Sequence, residues 1–127
     1  MARFISVCRA DITNNSTVGS QQAIITGSTN SSGIPASTYG VVLSILASNT
    51  HASTQNVTVT LFKGGVGGTA TSLVTSGVVP AQSSLEFMKG NKLIIEPNDV
   101  IKAYGSTNAV IDITVSYMLN NQDTTIT

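Results

Sequence analysis

His51 is the only imidazole and Cys8 the only thiol in a chain of 127 residues. A general base or metal ligand at His51 needs a second histidine, a thiol or a carboxylate at a suitable spacing. Its neighbours are Thr50 and Ala52, so His51 reads as an exposed turn residue. Cys8 ends a short apolar run, Phe4–Cys8, and is expected to be a buried, inert thiol on a strand. A single cysteine allows no intrachain disulfide.

Ahead of the tail, the carboxylates of the C-terminal half are Glu86, Glu96, Asp99 and Asp112. Two of them facing across a cleft would suit glycoside hydrolysis, and Glu96, Asn98 and Asp99 would offer oxygens to calcium. Glu96 and Asp99 instead flank Pro97-Asn98, a turn in which such side chains bond backbone groups, and so short a loop offers few oxygens. The chain has no Trp and three Tyr, little from which to build a sugar platform. The run Gly64-Gly-Val-Gly-Gly68 lacks the Gly-Lys-Ser/Thr ending and the helix of a phosphate loop, and reads as a hairpin loop. Asn14, Asn15, Asn30 and Asn56 begin Asn-x-Ser/Thr triplets, which arise by chance where about a quarter of the residues are Ser or Thr. No residue is assigned as catalytic, cofactor-binding or metal-ligating, no cofactor is expected, and the chain reads as a non-enzyme.

The length suits one domain with one core. Six basic and six acidic residues cancel, and Arg3, Arg9, Lys63, Lys89, Lys92 and Lys102 are dispersed. Nucleic acid and anionic membrane both call for clustered cations, so neither is expected as a partner. No apolar run approaches a membrane span, and the apolar stretch after Arg3 is too short for a secretion signal. Synthesis and folding in a cytoplasm are the simplest expectation. A surface so poor in charge repels its own copies weakly and tends to associate.

The elements that must position these residues are strands. Asn56–Lys63 alternates, with Val57, Val59 and Leu61 inward and Thr58 and Thr60 outward. Ala109–Leu119 does the same, setting Ile111, Ile113, Val115 and Tyr117 against Asp112, Thr114 and Ser116. Val41–Ala47 is apolar on both faces, as for a covered central strand. Further strands are expected at Phe4–Cys8, Ala23–Thr26, Ser72–Val79, Ser83–Met88, Lys92–Ile95 and Asp99–Tyr104, with a hairpin-like turn at Lys89-Gly90-Asn91 and a long loop at Gly27–Tyr39. No segment sustains a 3.6-residue apolar period. The expected fold is all-β, an antiparallel β-sandwich or jelly roll with little or no helix. Residues 1–22 read as an N-terminal strand and arm, 23–119 as the sandwich domain, and 120–127 as a polar C-terminal tail. The arm suits reaching to a neighbouring subunit; the alternative is that Phe4–Cys8 pairs within its own sheet.

Residues 40–119 resemble a family of small all-β structural proteins of tailed bacteriophage virions. The resemblance rests on Pro80-Ala81-Gln82-Ser83-Ser84-Leu85-Glu86, Lys92-Leu93-Ile94-Ile95-Glu96, Asn98-Asp99-Val100-Ile101-Lys102, and Asn108-Ala109 through Ser116-Tyr117, in that order. Gln82 stands where the family often has Gly, Pro97-Asn98 where it has Ala-Gly, and the N-terminal half is longer. The resemblance implies a noncatalytic virion component, first a capsid decoration or cement protein. Its partners would be the major capsid protein or other virion proteins, and it would form a homo-oligomer, with a trimer the leading form. The alternative within the family is a neck, tail or fibre-adaptor subunit. From another class, a carbohydrate-binding β-sandwich module would ordinarily expose Trp or Tyr.

Overall fold

Strands form wherever β-branched and aromatic residues recur at every second position, and turn residues separate them. The computed structural model describes residues 3–14, 21–25, 38–65, 67, 69–90 and 92–121. Most of the Gly27–Tyr39 loop, Asn15, Asn30, Val66, Gly68, Asn91 and the tail from 122 onward lie outside the described residues. Among those described, the elements are β1 (Arg3–Arg9), β2 (Gln22–Ile25), β3 (Thr38–Asn49), β4 (Gln55–Lys63), β5 (Thr69–Val79), β6 (Ser84–Glu86), β7 (Leu93–Ile95), β8 (Val100–Gly105) and β9 (Ile111–Asn121), with no helix.

Two antiparallel sheets face each other as a β-sandwich, the fold class expected from the sequence. The first runs β1-β9-β3-β6, with β7 also pairing β3; the second runs β2-β8-β4-β5. Between them lie Val42 and Ile45 of β3, Val57, Val59 and Leu61 of β4, Ile101 and Ala103 of β8, and Ile111, Ile113, Val115 and Tyr117 of β9. Asp112, Thr114 and Ser116 take the opposite face of β9 and are half-buried, as period two requires.

The N-terminal segment does not stand free of this core. β1 pairs with β9 over its whole length, from Arg3 opposite Leu119 to Arg9 opposite Ile113. Ile12 then enters the core with no exposed surface. Its N–H bonds Ile111 O at 2.8 Å, its carbonyl accepts from Ala109 N at 3.1 Å, and Thr13 O accepts from Gly105 N at 2.9 Å. The segment 11–13 thus closes one end of the sandwich between the start of β9 and the end of β8, while 15–20 lie outside the described residues.

Three local expectations are corrected. Cys8 is exposed. Ile5 and Val7 are the β1 residues that pack against the core, so period two turns Phe4, Ser6 and Cys8 outward. Thr58 is directed away from the core but is only 8% exposed. Extra residues on β5 shift its register against β4 at two places, and the Ser76 N–H, at φ 48°, bonds the Thr58 hydroxyl at 3.0 Å.

The turn at Lys89-Gly90 does not make a hairpin. β6 and β7 both pair with β3, Leu46 opposite Glu86 and Val42 opposite Leu93, so they are two pieces of one interrupted edge strand. Glu86 bridges the interruption: Oε1 accepts from Ile45 N at 3.1 Å and Met88 N at 2.6 Å, and Oε2 from the Ser44 hydroxyl. Phe87 crosses to the second sheet at Gly77, where a Cβ would meet its ring at 2.7 Å and Val74 Cγ1 at 2.4 Å. Only glycine leaves that crossing open.

Candidate assembly surface

The acids that raised the question of hydrolysis or calcium are turn-builders. Asp99 is 2% exposed at the foot of β8. Its Oδ1 accepts from Gly64 N at 2.9 Å, and its Oδ2 from Glu96 N at 2.8 Å and Lys63 Nζ at 2.7 Å. Glu96 is 3.5 Å from the same ammonium. The carboxylate therefore ties the Glu96–Asp99 turn to the start of the β4–β5 loop, the hairpin loop expected of the glycine run. Burial raises the Asp99 pKa, but the Lys63 hydrogen bond, the two amide N–H groups and the Lys63 charge together outweigh it, leaving it below its ordinary value. The hydrogen bond that Lys63 donates to Asp99 holds the Lys63 pKa above its ordinary value against desolvation.

A depressed carboxylate contributes stability above its unfolded pKa and loses it as pH falls through the folded value. Asp99→Ala is therefore expected to cost about 1–3 kcal/mol near neutrality, from buried donors left without an acceptor. The gap between wild type and variant should narrow in acid. Urea midpoints across pH measure this, with the slope unchanged. A gap that stays constant into acid would remove the charge from the account.

His51 lies in the turn joining β3 to β4, half-buried rather than exposed. Its Nδ1 accepts from Ser53 N at 3.1 Å and lies 2.8 Å from the Ser53 hydroxyl and 3.3 Å from Gln55 Nε2. The organising residue of that turn is Asn49, 3% exposed, which sequence reasoning passed over. Its Nδ2 reaches the carbonyls of Ser53, Val79 and Pro80 at 3.0, 3.1 and 3.2 Å, and its Oδ1 accepts from His51 N at 2.9 Å. An asparagine closing an apolar strand just before a turn was the available signal. Asp112 accepts from Asp11 N at 2.9 Å. Among the described residues no three His, Cys, Asp or Glu side chains group as metal ligands, and no helix is long and apolar enough to cross a membrane.

Phe4 is 74% exposed, Val78 55% and Ile94 50%. On the outer face of the first sheet, Phe4 pairs with Met118, Met118 with Val41, and Val41 with Ile94, an apolar rung from one edge to the other. Cys8 lies two rungs from Ser6 on the same face, opposite Thr114, whose hydroxyl is 3.5 Å from its Sγ.

No family model matches the chain, and no curated protein sequence matches it. Solved structures do. One is a chain of Bacillus endospore appendages, described as a novel family of disulfide-linked pili, at 19% identity and TM-score 0.51 over 97% of this chain and 88% of that one. Another is a chain from the structure of infectious bursal disease virus, Gx strain, at 12% identity and TM-score 0.52, covering 98% of this chain and 33% of that one. At such identities the likeness is one of fold. The chain is an antiparallel β-sandwich similar to those of a spore appendage and a virus structure.

Proposed function

We propose that this chain is a noncatalytic structural subunit of a tailed-phage virion, and specifically a decoration or cement protein that stabilises the head by protein–protein contacts. The observation that carries this reading is the ordered series of segments from Pro80 to Tyr117. The pieces that resemble the phage family correspond in turn to β6, β7, β8 and β9, with Asp99 tying the β7–β8 turn to the β4–β5 loop. The side chains with chemistry of their own support a scaffold role, since Asp99, Glu86 and His51 are engaged in bonding backbone groups of turns and strand ends. Similarity of fold to a pilus chain and a virus chain is in keeping with a subunit of a repeating assembly. Location is tested by electron microscopy of purified particles labelled with antibody to this chain. Label distributed over the head lattice is the expected result. Label confined to the neck, tail or fibre base would move the chain to the adaptor class, and unlabelled particles would end the virion reading.

A further inference from the structure

The two sheets treat their edges differently. In the second sheet both edges are bulged: β2 shifts register between Ala23 and Ile25, and β5 shifts twice. Bulges twist an edge away from an incoming strand and so protect it. In the first sheet β1 keeps an unbroken register with β9 over seven residues. At the opposite edge β6 and β7 each pair with β3 without a shift. Among the described residues these strands are paired on one side only. The first sheet is the extensible one.

Strand direction specifies how it extends. β9 opposes β1 and β3 opposes β9, so β1 and β3 run the same way, and β6 and β7 run against both. A second copy placed alongside without being turned over therefore presents its β1 antiparallel to β7. Continuing the rungs sets Phe4 of the second copy beside Ile94 and Ile5 beside Leu93, so the apolar rung carries on across the junction with its two most exposed members in contact. In the same register Arg9 falls beside Leu85. Two β1 strands paired about a dyad at Ser6 would instead set Phe4 opposite Cys8 and leave the exposed Ile94 edge uncovered.

We propose that copies of this chain join head to tail by continuing the first sheet, β1 of one adding antiparallel to the β7 edge of the next. A junction of this kind repeats, so it builds a ring or a helical filament rather than a closed pair. It concerns the purified chain alone and goes beyond the virion reading.

Sedimentation velocity of the full chain over a concentration series is expected to show mass rising past the dimer. Phe4→Asp and Ile94→Asp should each give a monomer with the wild-type thermal melt, since both side chains are exposed; Phe4→Ser serves if the charged variant perturbs β1. An equimolar mixture of the two variants should stop at a dimer, because one intact β1 then meets one intact β7 edge. A wild-type chain that stays monomeric, an Ile94→Asp chain that dimerises by itself, or a mixture that remains monomeric would each overturn the proposal. A monomeric chain that still labels the head refutes this junction and leaves the virion reading standing; a polymerising chain absent from particles does the reverse.

Discussion

A chain lacking residues 1–14 is expected to lose its cooperative thermal transition. Ile12 has no exposed surface, and burying such a side chain contributes about 1.5–3 kcal/mol. Ile5 and Val7 pack against the same core, and the Ile12 and Thr13 backbone groups hold the ends of β8 and β9. Together these approach the net stability of a small domain, about 5–15 kcal/mol. Far-UV circular dichroism during heating reads the result. A truncated chain that melts as sharply and as late as the full chain would show that the segment is an appendage and that the sandwich closes without it.

That segment also shows where sequence reasoning stopped. Within the expected arm, Ile12 is a lone apolar residue among Asp, Thr and Asn, and no period exists in so short a stretch. In β1 the two faces carry Phe4, Ser6, Cys8 and Ile5, Val7, and nothing local says which parity faces inward. Pairing with β9 decides it, a contact more than a hundred residues away in sequence. The Lys89-Gly90 turn has positive φ at both residues, the local chemistry of a hairpin. Whether the strands on either side pair with each other or both with β3 is long-range information. By contrast β4 and β9 were legible because alternation over eight or more residues fixes their inner faces, and the Glu96–Asp99 turn was legible because Pro, Asn and Asp act on their own neighbours. The outer apolar rung was invisible for the same reason as β1: Phe4, Met118, Val41 and Ile94 come from four strands and meet only through register.

Ile113→Ala is expected to cost about 2–5 kcal/mol, the loss of transfer energy plus the cavity left behind. Ile113 lies in the middle strand of β1-β9-β3, paired with Arg9, whose Nε is held on Ala23 O, on one side and with the small Ala47 on the other, so neither flank offers an apolar side chain that can move in. The surroundings can collapse little, which favours the upper part of that range. The adjacent Thr114 faces outward and is half-buried, and its hydroxyl makes one long contact with Cys8. Thr114→Ala should change stability by about 0.5 kcal/mol or less, as for a surface position without a special role. Paired urea unfolding of the two variants thus reads the phase of β9 directly. Comparable losses at both positions would mean that the outer face of the first sheet is also covered in solution, as it would be if the protein were measured as an assembly.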